Sequence, residues 1–135
     1  MTSLTTHQSN HDSLLRNALR ANAAFCSASA LLAIFGAGML VSFLGAGTSL
    51  FFIGLGILLI LHAAILYYAT TQGAIPRALA WYAIAGDVGW VIASAGLLLT
   101  DAFGLSDAGK WVTLIVADTV LVFAIVQIVG VRRLR

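Results

Sequence analysis

Three ionisable side chains stand inside long apolar stretches of the chain: His62, Asp87 and Asp118. Each such group costs roughly 2.5–3.5 kcal/mol to place in hydrocarbon, so intramembrane ionisable residues normally face protein or water and often mark a functional site. A histidine with nearby carboxylates can bind or relay a proton or a cation, because histidine ordinarily changes charge between about pH 5 and 8. Asn22 and Trp90 complete the set of candidate ion-, proton- or ligand-binding residues.

The depth of each group follows from the helical rise of about 1.5 Å per residue. Measured from the end of each span that is expected to face the cytoplasm, His62 lies at about 12 Å, Asp87 at about 14 Å and Asp118 at about 20 Å. His62 and Asp87 therefore share a level on successive helices. The sequence predicts a hydrogen bond between them, made directly or through one water molecule.

We next consider which other kinds of site these residue types could form. A haem held by two histidines is excluded within one subunit, because His62 is the only histidine within an apolar stretch. His62, Asp87, Asp118 and also Cys26 are possible metal ligands by type, but no local spacing motif supports a metal site. Hydrolytic triads, phosphate-binding loops and dinucleotide fingerprints are absent from the sequence. We therefore predict no metal, no cofactor and no enzymatic activity.

Two functional interpretations remain. In the first, a non-enzymatic helix bundle uses its His/Asp set to hold helices together and to bind or relay a proton or cation. In the alternative, the protein is an accessory or ligand-binding subunit that docks to a larger membrane complex, or binds a hydrophobic cofactor, through glycine-lined helix faces. Relay across the membrane would require a homo-oligomer, because four helices are too few to enclose a solute path.

The composition requires lipid as the main solvent. Hydrophobic residues make up 61% of the 135 residues and charged residues 9%, with a mean hydropathy of +1.01, whereas soluble domains carry charges on about a quarter of their residues. The net charge is only +2, and the arginines flank apolar runs, so a nucleic-acid partner is not expected. The bilayer is the predicted partner.

Four stretches are long enough to cross a hydrocarbon core of about 30 Å as helices. They cover residues 21–44, 49–70, 78–100 and 111–131. Short connections favour an all-α, up-down-up-down bundle of four transmembrane helices. This polytopic domain is expected to span residues 13–135 behind a flexible leader, residues 1–12, with Asp12 or Ser13 as the helix N-cap.

The positive residues predict the orientation. The six arginines are placed in the N-terminal segment, the second loop and the C-terminal tail, all on one side of the predicted bundle: Arg16, Arg20, Arg77, Arg132, Arg133 and Arg135. The positive-inside rule assigns that side to the cytoplasm. Both termini are therefore expected to be cytoplasmic.

Helical spacing predicts which faces pack. Asp87, Trp90 and Ser94 form one stripe on the third span, and a small-residue stripe adjoins it at Gly86, Gly89, Ala93 and Gly96. Small residues let membrane helices approach closely, so both faces of this span are expected to be buried. The first span has a similar seam of Asn22, Cys26, Ser29, Ala33 and Gly36. Gln127 and Asp118 are out of phase and are expected on different faces of the fourth span.

Three short segments carry a resemblance: Leu19-Arg20-Ala21-Asn22-Ala23, Asp87-Val88-Gly89-Trp90 and the segment from Gln127 to Arg133. With them the whole chain resembles small four-helix bacterial membrane proteins of unassigned function. The resemblance implies a location in the bacterial inner membrane and no particular activity. The chain does not resemble the small multidrug exporters, whose first helix carries a glutamate, because its own first span has no acidic residue.

Overall fold

The structure is a computed structural model that describes the backbone of residues 2–134 and the side chains of residues 13–134. Five helices follow one another: α1 (Thr2–Phe35), α2 (Ala37–Leu44), α3 (Ser49–Thr71), α4 (Arg77–Thr100) and α5 (Asp107–Arg133). Four stretches are long and apolar enough to cross a membrane: Ser13–Phe35, Ser49–Thr71, Arg77–Thr100 and Asp107–Arg133. The predicted all-α bundle of four spanning helices is confirmed.

The first span differs from its expected limits of residues 21–44. Gly36, with φ −106° and ψ 21°, separates α1 from the eight-residue α2, so the long apolar helix ends at Phe35. Its backbone is helical from Thr2 and does not start at Asp12 or Ser13. The side chains before Ser13 lie outside the described residues, and the flexibility of the leader stays a prediction.

Polar caps mark the ends of the later helices. The hydroxyl of Thr48 accepts a hydrogen bond from the backbone N–H of Phe51 at the start of α3, and Ser106 does the same for Gly109 at the start of α5. Ser106 also donates to the carbonyl of Phe43. Such caps satisfy donors that a helix N-terminus leaves unpaired, and Ser106 in addition ties the last loop to the end of α2.

Arginines close the other end of the bundle. Arg16 donates to the carbonyls of Thr70, Gln72 and Gly73, where α3 ends. Arg77 donates to the carbonyl of Leu134 at 2.6 Å. A guanidinium near a helix C-terminus satisfies carbonyls that have no partner within the helix. We call this side of the bundle the arginine end.

The helices pack around α1. It lies against α3 and α5, and α5 also packs along α4, whereas α3 and α4 touch much less. Close approach depends on Gly56, whose Cβ would lie 2.6 Å from Cγ1 of Ile34, and on Gly130, whose Cβ would lie 2.9 Å from Cβ of Leu15. The weak contact between α3 and α4 leaves a gap on that side of the bundle.

The small-residue stripe on α4 was predicted to be buried, and that prediction is wrong. Gly89, Ala93 and Gly96 are exposed on the outer surface of the bundle, and a Cβ on Gly89 or Gly96 would meet nothing within 4 Å. The physical reason is that α4 packs along one main neighbour, α5, and therefore buries one face. The stripe of Asp87 and Ser94 faces inward as predicted, with exposed fractions of 4% and 6%.

Candidate functional site

Asp87 is the most enclosed ionisable side chain in the part of the chain that the structure describes with side chains. It lies about ten residues into α4 and points towards α1 and α5. Its Oδ2 accepts a hydrogen bond of 2.7 Å from Nδ2 of Asn22 on α1 and one of 3.1 Å from Nε2 of Gln127 on α5. One carboxylate oxygen therefore connects three helices.

The two amides are themselves fully buried, each with an exposed fraction of 0%. Asn22 also receives a hydrogen bond, because the thiol of Cys26 donates to its Oδ1 at 3.4 Å. We call Asp87, Asn22, Gln127 and Cys26 the Asp87 cluster. Amide donors stabilise a carboxylate that would otherwise be costly to remove from water, so the cluster explains how Asp87 is held inside the bundle.

A cleft opens beside this cluster, in the gap between α3 and α4. It has a volume of about 420 Å³, within the range of pockets that hold small organic molecules. Leu58 and Tyr82 on its rim are 65% and 42% exposed, so the cleft reaches the outer surface of the bundle. All four spanning helices contribute to its lining: Phe25, Cys26, Ser29, Leu55, Leu58, Leu59, His62, Tyr82, Gly86, Asp87, Trp90, Val116 and Val120.

His62 forms the wall of the cleft nearest to the arginine end. Its Nδ1 lies 3.2 Å from the hydroxyl of Tyr82, a hydrogen bond whose donor depends on the tautomer of the imidazole. The two rings are tilted by 49°. A Cβ on Gly86 would lie 3.0 Å from Cε1 of His62. The glycine therefore lets the imidazole pack directly against the backbone of α4.

Two buried polar atoms have no hydrogen-bond partner among the described residues: Nε1 of Trp90 and Oε1 of Gln127. Buried polar groups are nearly always hydrogen-bonded, and an unsatisfied one costs about 1–3 kcal/mol. Trp90 lines the cleft, but its N–H is itself buried, so it can donate to a molecule bound there only after the indole ring turns towards the cleft. Asp87 adds an acceptor, because none of the described residues donates to its Oδ1.

Four of the five predicted candidates come together. Asn22, His62, Asp87 and Trp90 lie in or beside the cleft, whereas Asp118 is exposed on the outward face of α5. The direct hydrogen bond predicted between His62 and Asp87 is absent among the described residues. Both side chains line the cleft, but Tyr82 bonds the histidine, and Asn22 and Gln127 bond the carboxylate.

Gln127 and Tyr82 were not predicted as site residues. Gln127 shares one face of α5 with small, buried residues, Ala117, Ala124 and Gly130, and that spacing could have identified it as a buried amide. Tyr82 lies near the end of its span, where aromatic residues commonly mark the membrane interface. No pattern in the sequence indicates its hydrogen bond with His62.

Metal binding finds no support in the geometry. Within the described part of the chain, no three histidine, cysteine, aspartate or glutamate side chains come together to hold an ion. The arrangement instead offers an apolar cleft with one carboxylate oxygen, one indole N–H and one imidazole on its walls.

Comparison with known proteins finds no matching family model, no matching curated sequence and no matching solved structure.

Proposed function

We propose that this chain is a non-enzymatic, multi-pass protein of the bacterial inner membrane that binds a small molecule dissolved in the bilayer. The ligand has a planar, oxygen-bearing head group and an apolar body. Both termini are cytoplasmic in this proposal, as the arginine distribution predicts. The observation that carries it is the cleft of about 420 Å³, whose apolar lining includes both Asp87 and Trp90; the indole N–H of Trp90 has no partner among the described residues.

The lining indicates the chemical class of the ligand. Aliphatic side chains of Leu55, Leu58 and Leu59 cover the α3 wall and suit a hydrocarbon body. Aromatic rings surround the polar part of the cleft and favour a flat, conjugated head through stacking or edge-to-face contact. A carbonyl oxygen on that head can accept from Trp90, and a hydroxyl can donate to Oδ1 of Asp87.

The position of the opening supports entry from lipid. The cleft reaches the surface between α3 and α4, where the exposed Leu58 forms part of the rim. A molecule that partitions into the bilayer can enter sideways without crossing water. This route also explains why the polar groups lie deep in the cleft while its rim is largely apolar.

Fluorescence of Trp90 tests the proposal. The changes Trp81→Phe and Trp111→Phe leave Trp90 as the only tryptophan, since the chain has three. We expect decylubiquinol, a hydroquinone with a short apolar tail and hydroxyl groups that can donate to Asp87, to quench this emission saturably in detergent or nanodiscs. Asp87→Leu should weaken the apparent affinity about 10- to 150-fold, because one buried hydrogen bond to a charged group contributes about 1.5–3 kcal/mol.

Asp118→Asn is the matched control, because it removes another intramembrane carboxylate that lies outside the cleft. It should leave the quenching curve unchanged. Linear, non-saturating quenching in the Trp90-only protein, or an equal loss of affinity in Asp87→Leu and Asp118→Asn, would contradict binding in the cleft. Mass spectrometry of the purified protein provides an independent measurement, in which a bound lipid-soluble molecule should be lost in Asp87→Leu alone.

Proton binding at Asp87 is a second candidate, and the His62–Tyr82 hydrogen bond favours it. That pair lies between the cleft and the arginine end, and offers a route by which a proton could reach the carboxylate from one side. Asp118 would have to continue the route to the other side, but it faces outward. A flux assay in liposomes that compares wild type with Asp87→Asn and Asp118→Asn tests proton transfer, which requires a proton flux in the wild type that Asp87→Asn abolishes.

A further inference from the structure

Asp118 is a carboxylate on the outer surface of a membrane-spanning helix. It lies about 16 Å along α5 from Asp107 and about 21 Å from Arg132, near the middle of the span. The side chain is exposed, and none of the described residues hydrogen-bonds to it. The neighbouring hydroxyl of Thr119 donates to the carbonyl of Ile115 on its own helix. A carboxyl facing lipid at this depth costs roughly 2.5–3.5 kcal/mol, so a partner from outside the chain would stabilise it.

The surface around Asp118 has a regular pattern. Exposed side chains follow α5 at alternating intervals of four and three residues, namely Trp111, Ile115, Asp118, Val122, Ile125 and Val129. These intervals are those of the contact seam in a left-handed pair of helices. Every seventh residue, at Ile115, Val122 and Val129, is β-branched, as the corresponding positions are in parallel two-stranded coiled coils. We call this surface the Asp118 seam.

We propose that the Asp118 seam is the interface of a parallel homodimer, in which the Asp118 carboxyls of two copies hydrogen-bond to each other. Copies inserted in the same direction are related by a twofold axis along the membrane normal. Such an axis places each residue opposite its own counterpart at the same depth. A carboxyl in its neutral form both donates and accepts, so two of them can satisfy each other.

The charge distribution favours this pairing over one with a basic residue of the second copy. The nearest basic residues on α5 are Lys110 and Arg132, about 12 Å and 21 Å along the helix from Asp118, and Lys110 already pairs with Asp101 at 3.5 Å. A second copy in parallel orientation would bring the same cations to the same distant levels. Its own Asp118 is the polar group that symmetry delivers at the required depth.

The seam is separate from the cleft. Val116 and Val120 line the cleft, and each is two residues from Asp118, which places them about 160° away around the helix. Dimerisation through the seam therefore leaves the opening between α3 and α4 uncovered. The inference is independent of the proposed ligand.

Disulfide cross-linking in native membranes tests the interface. Cys26→Ser provides a background without cysteine, and Val122→Cys then places a thiol in the seam one turn from Asp118. Leu61→Cys, exposed on α3 at a similar depth, is the control. We expect mild oxidation to yield a covalent dimer from Val122→Cys several times faster than from Leu61→Cys. Equal rates, or no dimer from Val122→Cys, would overturn the proposal.

Energy transfer between copies with C-terminal fluorescent fusions provides a measurement without cysteines. In liposomes that contain only this chain, Asp118→Leu should lower the association constant about 3- to 20-fold, the range that interhelical hydrogen bonds give in membranes. Asp118→Asn should retain association, because an amide also donates and accepts. Association in native membranes that disappears in these liposomes would show that Asp118 faces a different protein, and would overturn self-association.

Discussion

Asn22 on α1 donates a 2.7 Å hydrogen bond to Oδ2 of Asp87 on α4, across 65 residues of sequence. Both side chains are buried. The bond brings the first and third spans of the bundle together at the base of the cleft. It is the most direct link between the fold and the proposed binding site.

The first prediction concerns this bond. Asn22→Ala removes a buried donor to a carboxylate, and should lower the free energy of unfolding by about 1–3 kcal/mol. Ser27→Ala is the control, because Ser27 is exposed on the same helix and should change stability by less than about 0.5 kcal/mol. Reversible unfolding in mixed detergent micelles measures both values. Equal effects of the two changes would contradict the role given to Asn22.

The second prediction concerns glycine contacts. Gly130→Leu should lower the free energy of unfolding by about 1–3 kcal/mol, because a Cβ there would lie 2.9 Å from Cβ of Leu15 and 3.1 Å from its Cα. Gly89→Leu should have little effect on the monomer, because a Cβ there meets nothing within 4 Å. This ranking is the reverse of what the small-residue stripe on α4 suggested. Melting temperatures in detergent distinguish the two outcomes.

The third prediction compares two arginines on α1. Arg16→Gln should destabilise the bundle by about 1.5–3 kcal/mol, because the guanidinium satisfies carbonyls at the end of α3. Arg20 is exposed and caps no helix among the described residues, so Arg20→Gln should cost less than about 0.5 kcal/mol. Both changes remove one positive charge from the same end. A similar loss in both variants would therefore indicate a charge effect, and would argue against capping.

The fourth prediction concerns orientation in the membrane. Because the arginines cluster at one end, reporters fused to either terminus should show a cytoplasmic location, and a reporter inserted in the loop at residues 101–106 should show a periplasmic one. A periplasmic signal from the C-terminus would contradict the four-span topology or its direction. Alkaline phosphatase and green fluorescent protein fusions give opposite responses, and each serves as the control for the other.

The sequence predicts the helices well because each span is a continuous apolar run, and lipid permits no other local structure for such a run. It also places Asp87 and Ser94 on an inward face, since 3.6-residue periodicity needs no knowledge of the neighbours. Which helices adjoin a face is a tertiary property. That is why the stripe at Gly89 was misplaced, and why the partner of Asp87 was expected on α3 when it lies on α1 and α5.

The amides of Asn22 and Gln127 show a further limit of prediction from the sequence. Asn22 was a candidate for its polarity alone, and Gln127 was set aside because it does not share a face with Asp118. Depth along each helix was estimated from the expected span limits, but α1 is already helical well before residue 21. The first and third spans run in the same direction in this bundle, so an earlier start of the first span moves Asn22 deeper, towards the level of Asp87. Side-chain length then decides whether two amides can reach one carboxylate, and no sequence pattern encodes that.

The last prediction separates the observed network from the predicted His62–Asp87 pair. If those two side chains bonded each other, removing both would cost less than the sum of the single changes, since no unpaired partner would remain. In the structure they share no hydrogen-bond partner: His62 contacts Tyr82, and Asp87 contacts Asn22 and Gln127. The coupling energy between His62→Leu and Asp87→Leu should therefore be smaller than that of a directly bonded pair, with only the shared cleft left to couple them.

The matching cycle of Asn22→Ala and Asp87→Leu should deviate from additivity by at least about 1 kcal/mol. Asn22→Ala is costly because it removes one donor from the Asp87 carboxylate. In Asp87→Leu that carboxylate is gone, so the same change then costs less. Both cycles use Asp87→Leu, so a general effect of that variant on folding cancels in the comparison. Strong coupling in the His62 cycle with none in the Asn22 cycle would indicate a direct hydrogen bond between His62 and Asp87, and would contradict the Asp87 cluster. The opposite result would indicate that the Asp87 carboxylate is held in the wall of the cleft by its hydrogen bond with Asn22.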